Sequence, residues 1–232
     1  MEAFTDNQYQ QAIRQLFDRW RTSSDAFDDH FVEDGIVSPP HWASAPVRIL
    51  HVLKETNDYQ TSITELIHKV VTTKRKSELW WRPTFHNAGR WTHGLMHGVD
   101  GGEADYRVAH RNRRRALLHC AFINLKKTTG GRTATIAVEQ AAERDAVFLR
   151  EQIALIAPQI VVCGGTLGIV KQYLFPDIGK VAPRMHARDD MLFINARHPA
   201  YVEERRRMFD QVVGSYHRHR NAPASRTEAV GA

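Results

Sequence analysis

Pro158-Gln159-Ile160-Val161-Val162-Cys163-Gly164-Gly165-Thr166 decides the fold of this chain. A short, mostly β-branched run that follows a helix-ending proline and stops at Gly-Gly-Thr reads as a strand buried on both faces. Three further runs have the same character. Val47 to Val52 leads into Leu-Lys-Glu-Thr-Asn-Asp, Ala121 to Ile123 into Asn-Leu-Lys-Lys-Thr, and Met191 to Ile194 into Asn-Ala-Arg-His-Pro. Four such strands separated by helical patterns predict an α/β protein with a central four-stranded parallel sheet. Ligands of open α/β sheets bind beyond the carboxyl ends of the strands. Glu55, Asn124 and His198, which follow three of these runs, are expected to converge on one cleft.

The connecting segments complete the pattern. Tyr9, Ile13, Leu16, Phe17 and Trp20 keep helical spacing and predict an amphipathic first helix, and Ala146, Leu149, Ile153 and Ile156 predict another ahead of Pro158. Residues 22 to 46, rich in Ser, Asp and Pro, read as a surface loop. A short helix is expected over Thr166 to Leu174. Val202, Phe209, Val213 and Tyr216 predict a final helix whose Arg205 to Arg207 face solvent or a partner. The first and second strands are separated by about 70 residues, far more than the dozen that a crossover requires. This insertion, residues 59–118, holds a predicted helix from Ser62 to Val71, the basic stretch Lys74-Arg75-Lys76, an aromatic segment from Leu79 to Trp91, a loop with Gly98, Gly101 and Gly102, and the basic run Arg111 to Arg115. Its Trp, Phe and His content argues against disorder. A single domain over 1–220 is expected, with 1–46 as an N-terminal helix and loop and 221–232 as a disordered tail.

Composition narrows the function classes. The 232 residues, 42% hydrophobic and 25% charged, suit a globular α/β core. With 32 basic against 26 acidic residues, the net charge of +6 favours a polyanionic partner such as DNA. No run approaches the roughly 18 apolar residues of a membrane span, and the first residues do not form a signal peptide. A cytoplasmic protein with no membrane partner, monomeric by default, is expected. Cys120 and Cys163 lie in apolar runs far apart, without a CxxC pair, and read as two buried thiols. GxSxG, P-loop and clustered metal-ligand motifs are absent from the sequence. No cofactor and no metal are expected.

Several segments together resemble the uracil-DNA glycosylase superfamily over roughly residues 47 to 210. Phe122-Ile123-Asn124-Leu125-Lys126-Lys127 is similar to the "TNxVK" strand end of its thermostable bacterial and archaeal branch, and His198-Pro199-Ala200-Tyr201 to that branch's "HPAxLLR". Pro158 to Gly165 looks like "PKVIVxLG". Arg82-Pro83-Thr84-Phe85 with Ala88-Gly89 resembles "GRPFVGxAG". The resemblance implies a three-layer α/β/α sandwich and a DNA glycosylase that flips out a base and leaves an abasic site. The cysteines that ligate the iron-sulfur cluster of that branch have no counterparts, so no cluster is expected.

Base excision makes demands that these residue types meet. Positive charge develops on the sugar and negative charge on the departing base, so a carboxylate is needed beside the sugar and a donor beside the base oxygen. Glu55 and His198 are the catalytic candidates. Glu55 matches the position of the water-orienting Asp or Asn of relatives, and also suits the first turn of a helix. His198 can donate to the base carbonyl if its other ring nitrogen holds the tautomer; His-Pro is also an ordinary turn. Asn124, whose amide donates and accepts, suits the edge of a flipped pyrimidine, or else a cap. Phe85 is the candidate stacking platform, with Trp80, Trp81 and Trp91 as rivals. Tyr201 or Val202 falls where relatives insert a wedge, and Lys126, Arg197 and Arg205 are placed to contact phosphates.

The first motif reads Leu53-Lys54-Glu55-Thr56-Asn57, without the Gly and Pro of relatives. Asn57 stands where strict uracil enzymes carry a Tyr that blocks substituents on the pyrimidine 5-position. That exchange, with the aromatic and basic insertion, favours a bulky 5-modified cytosine of phage DNA over uracil and an antiviral role. The alternatives are a uracil-DNA glycosylase of base excision repair and a catalytically inactive nucleic-acid-binding module on the same fold.

Overall fold

In the computed structural model, residues 6–27, 30–56, 59–73, 82–97, 104–130 and 135–221 are described. The chain opens with α1 (Asp6–Arg21), whose Tyr9, Ile13, Leu16, Phe17 and Trp20 are all buried. A short turn at Asp25–Phe27, β1 (Gly35–Ile36) and α2 (Pro39–Ala43) precede β2 (Ile49–Leu53). The insertion supplies α3 (Ile63–Thr72), α4 (Pro83–Met96) and α5 (Tyr106–Ala116) before β3 (Cys120–Asn124). Then come α6 (Thr135–Arg144), α7 (Ala146–Ile156), β4 (Ile160–Gly164) and α8 (Leu167–Ile169), the last continuing as a π-type turn over Val170–Leu174. β5 (Gly179–Ala182), β6 (Met185–Arg188) and β7 (Met191–Ala196) lead to α9 (Arg205–Phe209) and α10 (Ser215–Asn221), joined by a π-type turn at Asp210–Gly214.

The α/β class is as expected, but the sheet is larger than four strands. Its order is β1-β3-β2-β4-β7-β6-β5. The inner β3, β2, β4 and β7 are mutually parallel, and β1, β6 and β5 extend the two edges antiparallel. The added strands escaped notice for physical reasons. β1 has only two residues, and β5 is exposed along most of its length, so neither carries an apolar period. The β6–β7 hairpin closes on Asp189-Asp190, with Asp189 in the left-handed region (φ 49°) that a tight hairpin turn needs.

Helices cover both faces. Leu50, Val52, Ala121, Ile123, Val161, Cys163 and Phe193 meet α1, α6, α7 and α8 on one side. Ile49, Leu53, Cys120, Phe122, Ile160, Val162 and Ile194 meet α3, α4, α5 and α9 on the other. The insertion therefore forms most of a packed layer, with Phe85, Trp91, Leu95 and Met96 buried against the sheet. α4 and α5 touch closely: a Cβ on Gly89 would lie 2.0 Å from the Arg113 carbonyl oxygen.

Residues 22 to 46, expected as a surface loop, instead help to build the core. Phe27, Phe31, Val32, Ile36, Val37 and Trp42 are buried, and Pro39-Pro40 opens α2 because proline needs no donor at a helix start. Their apolar residues follow neither helical nor strand spacing, which hid them. The helical stretch after the His-Pro turn begins at Arg205 with α9, so Val202 stands outside it and is 47% exposed. Asn57, Lys74-Arg75-Lys76, Leu79 to Trp81, Gly98, Gly101, Gly102, Gly131 and the tail beyond Asn221 lie outside the described residues.

Candidate active site at the strand ends

Parallel pairing brings the four carboxyl ends to one edge of the sheet. Leu53 pairs with Asn124 and Gly164 with Ala196, so the edge runs Asn124, Glu55, Gly165, His198 across β3, β2, β4 and β7. Glu55 and His198 follow strands two places apart, a separation of about 10 Å between backbones at the usual strand spacing. Between them stands Gly164-Gly165, which contributes no side chain. Gly165 adopts φ +73°, and a Cβ on Gly164 would meet Pro199 Cδ at 2.8 Å. The glycines let the His198-Pro199 turn lie against the end of β4.

His198 is half-buried. The Ala200 amide donates to its Nδ1 at 3.2 Å, so a neutral ring carries its proton on Nε2. Burial, then the nearby Lys54 ammonium, pushes its pKa below the ordinary imidazole value. The ring is neutral at pH 7, and among the described residues nothing accepts from Nε2. It is a donor without an acceptor, aimed from a strand end.

Glu55 is held by Lys126 and by a glycine. Lys126 Nζ lies 2.7 Å from Glu55 Oε2 and 2.7 Å from the Thr129 carbonyl oxygen, and the Glu55 side chain is only 7% exposed. Lys126, expected on a phosphate, is thus the counter-ion of the carboxylate. The chain after β3 runs alongside the chain after β2: Leu125 and Lys126 amides donate to Leu53 and Lys54 carbonyls, and the Gly130 amide to Thr56. This brings Gly130 onto the carboxylate, where a Cβ would lie 1.9 Å from Oε2. Among the described residues no hydrogen bond reaches Oε1.

Asn124 is buried and shares a sheet face with Phe122, against which Phe85 packs edge-on at 6.0 Å. Its side-chain amide has no hydrogen-bond partner among the described residues, while its backbone N–H donates to Asp34 Oδ2 at 2.7 Å. Phe85 is therefore on the same side as Asn124, at the first turn of α4. Trp91, a rival platform, is 1% exposed and packs beside His51 as core. Tyr201 and Val202 are 40% and 47% exposed just beyond the His-Pro turn. Arg197 lies over the Tyr201 ring at 5.2 Å, and Arg205, Arg206 and Arg207 are exposed.

Two supporting groups went unread in the sequence. Asp34, Lys127 and Gln152 form a fully buried cluster: Lys127 Nζ lies 2.5 Å from Asp34 Oδ1 and 2.9 Å from Gln152 Oε1. It anchors the end of β3 through the Asn124 amide, and no local signal announces it because its members are up to 118 residues apart. Asn87 on α4 donates to the turn after His198. A polar pair, Asn87 and Arg90, one turn apart on an apolar helix face was the available signal.

No protein-family model matches the chain, and no curated protein matches it. Among the described residues no three His, Cys, Asp or Glu side chains group in a way that holds a metal ion, and no helix is long and apolar enough to cross a membrane.

Proposed function

We propose that the chain is a DNA glycosylase on a uracil-DNA glycosylase-like fold, acting on an extruded, altered pyrimidine nucleotide. The observation that carries this reading is His198, a neutral imidazole with an unclaimed Nε2–H, set across a glycine gap from the Glu55 carboxylate. A donor and a carboxylate at such spacing suit a bond whose cleavage leaves cation character on one side and an anion on the other. The strand order and the placement of the His-Pro turn support the superfamily resemblance.

In the reaction, the C1′–N1 bond of the nucleotide breaks and its electron pair leaves with the base. His198 Nε2–H hydrogen-bonds the base oxygen on which that charge accumulates. Glu55 stabilises the sugar cation and orients a water, whose oxygen bonds to C1′ and whose proton passes to the carboxylate. Lys126 holds the Glu55 carboxylate in position beforehand. Asn124 reads the base edge, Phe85 stacks on its face, and Tyr201 or Val202 fills the vacated duplex position. Arg197 and Arg205, both exposed, are the residues proposed to contact phosphates. Asn57, on sequence grounds, favours a bulky 5-modified cytosine of phage DNA over uracil.

Purified protein is incubated with duplexes carrying uracil, a thymine mismatch, hydroxymethylcytosine or glucosylated hydroxymethylcytosine, and abasic sites are revealed by alkaline cleavage. Excision from the modified cytosines that Glu55→Gln and His198→Ala abolish, with DNA affinity retained, is the expected result. Excision of uracil alone supports the repair enzyme. The low exposure of Glu55 favours a second reading, a DNA-binding module without catalysis, and binding with no excision of any base supports it.

A further inference from the structure

We propose that Asn87 is a positioning residue that sets the His198 ring and the Tyr201-Val202 tip together, making α4 a working part of the site. Its effect on catalysis rests on the glycosylase reading. Asn87 Nδ2 donates to the Pro199 carbonyl at 2.7 Å and to the Tyr201 carbonyl at 3.0 Å, using both amide hydrogens. Its Oδ1 accepts from Arg90 Nη1 at 2.5 Å. Asn87 is 1% exposed and Arg90 2% exposed.

The orientation of this amide is decided by chemistry. Arg90 can only donate, so it must meet the Asn87 oxygen, and the amide nitrogen then points at the two carbonyls. Arg90 is itself fixed: its Nε donates to His110 Nδ1 at 3.1 Å and its guanidinium lies 5.6 Å from the Tyr106 ring centre, both on α5. Burying a guanidinium without a carboxylate partner is costly, and Arg90 pairs with none among the described residues. What that cost achieves here is a single orientation of the Asn87 side chain.

The consequence falls on the turn between the two carbonyls. Tyr201 N–H closes on the His198 carbonyl at 3.0 Å, and Ala200 N–H donates to His198 Nδ1 at 3.2 Å. Asn87 pins the residues on either side of Ala200, so the Ala200 amide stays aimed at the ring and keeps its proton on Nε2. The same pin holds Tyr201, the exposed residue placed to press on the duplex. Wedge and imidazole therefore share one support.

The test uses the full chain, with histidine 15N-labelled, in three forms: wild type, Asn87→Leu and Arg90→Lys. Wild type should show a single Nε2–H signal for His198 and slowed exchange of the Ala200 and Tyr201 amides. Asn87→Leu should mix the tautomers and speed that exchange about thirtyfold, the effect of two lost hydrogen bonds, and Arg90→Lys should do so partially. On a cleavable duplex, the single-turnover rate should fall with both variants while DNA affinity stays within about twofold of wild type, since the lost contacts do not touch DNA. Wild-type ring signals and exchange rates in Asn87→Leu would overturn the proposal. If that variant does not fold, Arg90→Lys carries the same readouts, and wild-type values there overturn it. If wild type excises no base, the glycosylase reading fails, yet the tautomer and exchange measurements still decide whether Asn87 holds the turn.

Discussion

Gly130→Ala isolates the placement of Glu55 from its chemistry. The added Cβ would sit 1.9 Å from Glu55 Oε2, 2.2 Å from Cδ and 2.4 Å from Oε1, whereas ordinary contact begins at 3.4 Å. Relief therefore requires the carboxylate to retreat by about 1.5 Å, the difference between 3.4 and 1.9 Å. The side chain is the cheaper part to move, because the Gly130 amide is tied to the Thr56 carbonyl at 2.9 Å. A misplacement of about 1 Å in a reacting group costs roughly a hundredfold in rate. Single-turnover excision on the substrate found in the duplex panel is the assay, with thermal unfolding alongside. The expected result is a loss of about a hundredfold with little change in melting temperature. An unchanged rate would refute the claim that Glu55 works from this position.

Lys126→Met leaves the Glu55 carboxylate, 7% exposed, without its counter-ion. Because the pair keeps some contact with solvent, the expected loss is about 2–3 kcal/mol in urea unfolding, at or below the lower end for a buried pair; a loss under about 0.5 kcal/mol would show that the ion pair is incidental. His51 has its pKa lowered to about 3 by burial in the sheet core, against an ordinary 6.5. The unfolded chain then binds more protons than the folded one below pH 6.5, so this contribution to stability is complete above 6.5 and shrinks as pH falls. The loss between pH 6.5 and 4 is about 3 kcal/mol, and His51→Leu should flatten the urea midpoint over that range; parallel curves would contradict it. Tyr201→Ala with Val202→Ala removes the exposed tip and should slow excision from duplex far more than from single strands, where no base need be pushed out. Equal slowing on both substrates would remove the wedge assignment.

Much of the frame is legible in the sequence. Ile160 to Cys163 and its three counterparts are buried on both faces, so composition alone marks them, and the residues that terminate them are the ones a parallel sheet gathers at one edge. The helical spacing of α1 is equally local. The candidates Glu55, Asn124 and His198 were therefore available from position within the chain. Lys126 reads from the sequence as a phosphate contact, since nothing in Asn-Leu-Lys-Lys tells which lysine turns to Glu55 and which to Asp34.

Which strands lie inside the sheet and which side chains stand at their ends is written locally along the chain, because burial on two faces and termination by glycine or polar residues leave local signatures. The entry of residues 22 to 46 into the core, the close approach of Gly130 to Glu55, and the contacts of Asn87 and Arg90 at the His198 turn arise only in three dimensions. Those outcomes depend on pairings between residues up to 114 positions apart. Spacing along the chain cannot report which partners folding will bring together, nor which nitrogen of His198 a neighbouring amide will claim.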